Sequence, residues 1–154
     1  MIDVNIKAVH VLTKLFLKDF VKHNRGFVLN VASIAAFAPG PLMATYYATK
    51  TYVLNITNSI AEDLRNQKSN VYIGCLCPGP VKTNFDEVAG VSFSLKGMDR
   101  KKVAKYAVKE MFKRKQIIIP GFKIKCGYKA TKIFSNRMVA ESIFKGQKKK
   151  LGNN

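Results

Sequence analysis

Apolar residues recur at helical spacing near the start of the chain, where Val4, Ala8, Val11, Leu12, Leu15, Phe16 and Phe20 predict one amphipathic helix over 2–22. The breaker HNRG (23–26) ends it. The pattern then changes to a nearly continuous apolar run, GFVLNVAS (26–33), closed by a small-residue loop with Pro39, Gly40 and Pro41. That predicts a short buried strand over 27–31. Val53, Ile56, Ile60 and Leu64 predict a second long helix over 43–66, and NVYIGCLCPG (70–79) predicts a strand stopped by Pro78. A basic helix over 99–114 and a third strand in QIIIPG (116–121) follow, and 122–145 leans helical. Three apolar strands alternating with helices predict a parallel sheet with right-handed crossovers, an α/β architecture. Three strands by themselves leave exposed edges.

Composition narrows the picture without changing it. The chain has 154 residues, 47 % apolar and 23 % charged, an ordinary globular balance for one domain. No run approaches the roughly 18 apolar residues of a membrane span, and the N-terminus MIDVNIKAVHVLTKLF lacks the basic start, apolar run and cleavage site of a signal peptide. The expected location is the cytoplasm. The net charge of +18 raises a nucleic-acid partner, but the lysines are scattered from Lys7 to Lys150 and arginine numbers only 5 against 22 lysines. A solvated basic surface is expected instead, with 146–154 as a basic, disordered tail. Cys75, Cys77 and Cys126 have no metal-ligand spacing and read as buried, reduced thiols.

The chemistry centres on TYYATKTYV (45–53), where Tyr46 precedes Lys50 by four residues, a spacing that places phenol and ammonium on one helix face. With 6 tyrosines and 22 lysines, about one such pair arises by chance, and Tyr128 and Lys132 form a second. Company separates the two. Ser33 lies thirteen residues before Tyr46, directly after a predicted strand, whereas Lys115 stands at that distance from Tyr128. In an open parallel sheet ligands gather at the carboxyl ends of the strands, where Ser33, Tyr46 and Lys50 all fall. A neighbouring ammonium is expected to lower the phenol's pKa from its usual value of about 10.

Together these residues resemble the short-chain dehydrogenase/reductases. The family's tyrosine, three residues and lysine look like YYATK (46–50), and its serine thirteen before the tyrosine resembles Ser33 in LNVAS. Its proline-glycine loop is similar to CPGPVKT (77–83), and the asparagine of its fourth helix resembles Asn5 in IDVNIKAV. The resemblance, which runs to about residue 121, implies reversible hydride transfer between NAD or NADP and a carbonyl or alcohol. It implies Tyr46 as proton donor, Ser33 as hydrogen-bond partner of the substrate oxygen, and Lys50 as the group that lowers the tyrosine's pKa and holds the nicotinamide ribose. Asn5 would anchor a water beside the lysine. Pro78, Gly79 and Val81 would line the nicotinamide, Thr83 would contact the cofactor close by, and Tyr46 as well as Lys50 would count among the cofactor-binding residues.

The fold implied is the last three strands and flanking helices of a Rossmann-like, doubly wound parallel sheet, with 1–145 as the C-terminal part of one domain. Measured against the family, the chain is expected to start in the fourth helix, as a truncation, a misplaced start or a gene fragment. Its 10 glycines never form the glycine-rich turn that binds a pyrophosphate. The choice between NAD and NADP is therefore not legible. The segment 84–98 occupies the place of the family's substrate lid, and Val88, Val91, Phe93 and Leu95, with Ala35, Phe37, Leu42 and Met43, suggest an apolar pocket for a ketoacyl thioester or lipid-like ketone. The resemblance also implies a homo-oligomer through helices 2–22 and 43–66. Two rivals come from other classes: a non-catalytic fragment of the family serving as a binding or oligomerisation module, and a basic nucleic-acid-binding domain with steep salt dependence.

Overall fold

A computed structural model describes residues 1–83 and 97–151. A π-helical opening, Asp3–Ala8, runs straight into helix α1, Val9–Lys22. Strand β1, Phe27–Val31, is followed by a 3₁₀ turn, Ile34–Phe37, and helix α2, Ala44–Asn66. Then come β2, Tyr72–Leu76; α3, Arg100–Phe112; β3, Ile117–Ile118; α4, Phe122–Thr131; and α5, Asn136–Leu151. The strands pair in parallel in the order β1-β2-β3, with Phe27 opposite Tyr72 and Leu76 opposite Ile118. The α/β reading is correct, and the third strand is shorter than its apolar run because Pro120 and Gly121, at φ +86°, turn the chain into α4.

Alternation along the strands divides the core between two layers. Val28 and Ile73 pack with Leu64, Ile60, Leu17 and Phe20 of α1 and α2, whereas Leu29, Leu76 and Ile118 pack with Ala107 and Met111 of α3. β2 is buried along its whole length, as a central strand should be. β1 has a hydrogen-bonded neighbour on one side only among the described residues, and its Phe27 and Val31 are exposed. Gly26 permits the entry to β1: it sits at φ +152°, and a side chain there would run into the Phe20 ring.

Helix α1 departs from the expectation. Val4, Val11, Leu12, Leu15 and Phe16 are exposed, and the face turned to the sheet carries Val9, Thr13, Leu17 and Phe20. Buried polar chemistry sets this orientation. Thr13 donates through Oγ1 to Asn30 Oδ1 at 3.1 Å, Asn30 Nδ2 donates to Thr57 Oγ1 at 2.9 Å, and Thr57 donates to the Val53 carbonyl at 2.7 Å. All three side chains are buried, so each hydrogen bond offsets a desolvation cost that no water would relieve.

The remaining differences lie at the edges of the fold. Cys75 and Cys77 are buried as expected, but Cys126 is exposed, because α4 turns Ile124 and Tyr128 inward instead. Of the tail expected over 146–154, residues 146–151 continue α5, and the rest lies outside the described residues. Among the described residues no helix is long and apolar enough to cross a membrane.

Asn30→Ala, which strands the Thr13 and Thr57 hydroxyls, is expected to cost about 2 kcal/mol in urea denaturation. A loss below about 0.5 kcal/mol would show that this network does not hold α1 and α2 to β1.

Candidate active site

The chain leaves β1 at Val31, and two residues later Ser33 caps the 3₁₀ turn in an extended conformation, its Oγ accepting the Ala35 N–H at 3.1 Å. Accepting that N–H leaves the Ser33 hydroxyl proton free to be donated elsewhere. It hydrogen-bonds the Tyr46 phenol from the first turn of α2. Gly40 lets that helix begin here, since a side chain at this position would collide with the Tyr47 ring. Lys50 lies one turn further along α2, with Nζ donating to the Val31 carbonyl at 3.2 Å and standing 5.8 Å from the Tyr46 ring centre. Ser33, Tyr46 and Lys50 thus converge at the carboxyl end of β1, as their spacing predicts.

Electrostatics here run against the expectation. The Tyr46 phenol is held above its ordinary value, chiefly by burial, with the Ser33 hydrogen bond pulling it back and neighbouring Tyr47 pushing it up. Lys50 does not supply the expected lowering, because its ammonium is bonded to a backbone carbonyl rather than to the phenol oxygen. Burial also depresses the Lys50 pKa, with the thiols of Cys75 and Cys77 opposing that shift. Those two thiols lie side by side, Cys75 on β2 and Cys77 just past its end, their sulfurs 3.8 Å apart.

Asn5, in the π-helical opening, reaches α2 from the other side. Its Nδ2 donates to Thr49 Oγ1 at 3.1 Å, and Thr49 donates to the Tyr46 carbonyl at 2.8 Å. Thr49, almost fully buried, is the residue that hydropathy passes over, although it stands directly before Lys50 in YYATK. A π-helical turn at this point is a local departure of the kind often found at functional sites.

The loop after β2 brings the remaining positions to the same end of the sheet. The Pro78 carbonyl accepts the Ile34 N–H at 3.0 Å, tying this loop to the turn that Ser33 caps. Gly79 packs so closely on Ile124 of α4 that a Cβ would come within 2.9 Å of its Cδ1. Val81 forms a parallel bridge with Met98: the Met98 N–H donates to the Pro80 carbonyl and the Lys82 N–H to the Met98 carbonyl, both at 2.9 Å. These bonds use the residues flanking Val81, so its own N–H and carbonyl are directed away from Met98. Thr83 is exposed, and its Oγ1 donates to the Val81 carbonyl at 3.4 Å.

Val88, Val91, Phe93 and Leu95 lie outside the described residues. Of the other apolar candidates, Ala35 belongs to the core and Leu42 is exposed, whereas Phe37 meets the Tyr128 ring at 4.2 Å and Met43 Sδ accepts from Gln147 Nε2 at 3.3 Å. Helices α4 and α5 therefore wall one side of the site, a role that the weak patterning of 122–145 does not reveal. Tyr128, the decoy, spends its ring on Phe37 and on the Lys132 ammonium 4.9 Å away.

Comparison with known proteins gives this arrangement its family. The model for the short chain dehydrogenases matches residues 1–90, more than half of the chain. The chain belongs to the short chain dehydrogenase family. Among curated relatives, dehydrogenase/reductase SDR family member 4 of Bos taurus is 39 % identical over 88 residues, which are 57 % of this chain and 31 % of the relative. The human protein of the same name is 37 % identical over 87 residues, 56 % of this chain and 31 % of that protein. The aligned segment thus spans about a third of the relatives' length.

Solved family structures share the fold. A short-chain dehydrogenase from Sphingobium yanoikuyae in complex with NADPH superposes with a TM-score of 0.74 at 24 % identity, over 84 % of this chain and 51 % of that one. A short chain dehydrogenase/reductase from Burkholderia phymatum in complex with NAD gives 0.72 at 21 %, over 82 % and 54 %.

The Tyr46–Ser33 bond has a direct readout. A pH titration of the tyrosine ring carbons by NMR is expected to place the Tyr46 midpoint above about 10, and Ser33→Ala to move it higher, because a bond that favours the phenolate is removed. An unchanged or lower midpoint in Ser33→Ala would refute the contact.

Proposed function

We propose that this chain supplies the proton-transfer end of an NAD(P)-dependent oxidoreductase acting on a carbonyl or alcohol. The observation that carries the reading is the convergence of the Ser33 hydroxyl on the Tyr46 phenol at the strand ends, with Lys50 one helical turn away.

In the reducing direction Ser33 turns its donated proton to the substrate carbonyl oxygen, which orients the carbonyl beside the phenol. Tyr46 then gives its proton to that oxygen as negative charge develops there. The raised pKa of the phenol keeps it protonated, and so ready to donate, near neutral pH. Lys50, released from the Val31 carbonyl, stabilises the phenolate left behind. Asn5 and Thr49 hold the turn of α2 from which both side chains project.

The loop after β2 suits a nicotinamide. The outward N–H of Val81 offers a donor for a carboxamide, its carbonyl keeps a second lone pair beside the one that takes the Thr83 hydroxyl, and Pro78 and Gly79 give a side-chain-poor wall. A reduced nicotinamide supplies hydride when bound, and Lys50 is the cation available to its ribose hydroxyls. The solved relatives with NADPH and with NAD support a nicotinamide cofactor without choosing between the two. Phe37 and Met43 favour an apolar substrate. The exposed row Val4, Val11, Leu12, Leu15 and Phe16 on the first helix supports association with a second copy.

In a form of the protein that also carries a pyrophosphate-binding turn, Tyr46→Phe is expected to lower kcat for carbonyl reduction by about 10²–10⁴-fold, with cofactor affinity little changed. Lys50→Met should weaken both turnover and cofactor binding, and Tyr128→Phe neither. Substantial activity in Tyr46→Phe, or equal damage from Tyr128→Phe, would favour a binding or oligomerisation module that has no use for the phenol.

A further inference from the structure

Helix α4 is apolar on two opposite sides. Ile124 and Tyr128 pack onto the core, while Phe122, Cys126 and Ile133 follow one another on the outward side at helical spacing, Ile133 lying just past the last turn. Phe122 is 81 % exposed and Ile133 80 %, and next to them Phe134 and Met138 are 52 % and 56 % exposed. Four large apolar side chains standing in water within one helical hairpin need a partner.

The charge around them says which. From 122 to 148 the sequence holds seven lysines and arginines against one acidic residue, Glu141, and that carboxylate is already paired with Arg137 at 3.1 Å; Lys125 and Lys132 turn to the Tyr106 hydroxyl and the Tyr128 ring, which leaves Lys123, Lys129, Lys145 and Lys148 as exposed cations. A second copy docking on this face would bring two such cationic surfaces together. A nucleic acid would satisfy the lysines but leave Phe122 and Ile133 with nothing apolar to enter. An anionic lipid surface takes both, its headgroups meeting the cations and its acyl boundary the apolar side chains.

We propose that the outer face of α4 and the turn into α5 dock this protein peripherally on an anionic membrane surface, with Phe122, Ile133, Phe134 and Met138 inserted. The surface stands apart from the catalytic reading. Where both hold, the bilayer lies against the helix whose inner side carries Tyr128 onto Phe37, next to the layer from which an apolar carbonyl compound would arrive.

The test is sedimentation of the 154-residue chain with vesicles of phosphatidylcholine alone and of phosphatidylcholine mixed equally with phosphatidylglycerol. Binding is expected to the mixed vesicles, and at least about tenfold weaker binding for the charge-neutral triple variant Phe122→Ser, Ile133→Ser, Phe134→Ser. Cys126 gives a second readout that needs no substitution, since it is exposed whereas Cys75 and Cys77 are buried. An environment-sensitive fluorophore on it should shift to the blue on the mixed vesicles. Three results would each overturn the proposal: equal binding by the triple variant, an unshifted label, or lipid-free self-association that the triple variant abolishes. Loss of duplex DNA binding in the triple variant, without any vesicle binding by the wild type, would assign the face to nucleic acid instead.

Discussion

One buried amide organises this molecule. Asn30 points from β1 into the layer between the sheet and the first two helices, and its oxygen and nitrogen each take one threonine hydroxyl, Thr13 from α1 and Thr57 from α2. An apolar side chain there would pack equally well at many rotations of the two helices. A planar group with one acceptor end and one donor end fixes both at once, because a misplaced helix would leave a polar atom buried and unpaired. With α2 so rotated, Val53 and Leu64 face the core, and Tyr46 and Lys50 project over the end of β1.

The candidate site follows from that rotation. Ser33 is placed by the end of β1, Tyr46 by the start of α2, and the intervening 3₁₀ turn and loop only have to span the gap. Three polar contacts surround the start of α2: Asn5 to Thr49 and Thr49 to the carbonyl of Tyr46 run in series, and Lys50 separately bonds the carbonyl of Val31. The first two brace the opening turns of α2, and the third ties Lys50 to the backbone at the end of β1. The backbone positions of Ser33, Tyr46 and Lys50 are thus set by the fold, which leaves only side-chain torsions to adjust when a substrate oxygen comes within hydrogen-bond range.

Much of this was legible in the sequence because it rests on local pattern. The three strands are apolar runs bounded by glycine and proline, and the Ser33, Tyr46 and Lys50 spacing survives the presence of a decoy because, of the two tyrosines with a lysine four residues on, only Tyr46 has a hydroxyl thirteen residues before it. What was not legible depends on tertiary contact. Hydropathy assigns Val11, Leu12 and Leu15 to the core and passes over Thr13, but a buried asparagine across the interface selects the threonine and turns the leucines outward. Thr49 and Thr57 were missed for the same reason. The direction of the Tyr46 shift is not legible in the sequence, because charge proximity can be inferred from spacing, whereas the competing carbonyl of Val31 and the depth of burial cannot. The walls formed by α4 and α5 come from a lysine-rich stretch with two apolar sides, which has no single periodic face to detect.

The account divides a nicotinamide site into two ends and assigns one of them to these residues. On the proposed reading Ser33, Tyr46 and the backbone of Val81 would serve the nicotinamide end, while the 154 residues hold no glycine-rich turn to cradle a pyrophosphate at a helix N-terminus. Calorimetric titration of the chain with NADH and with NADPH tests that division most directly, once the chain is verified as folded and monodisperse. The account predicts no saturable heat with either cofactor. A clear micromolar isotherm would contradict it, by showing that these residues hold the whole dinucleotide without such a turn.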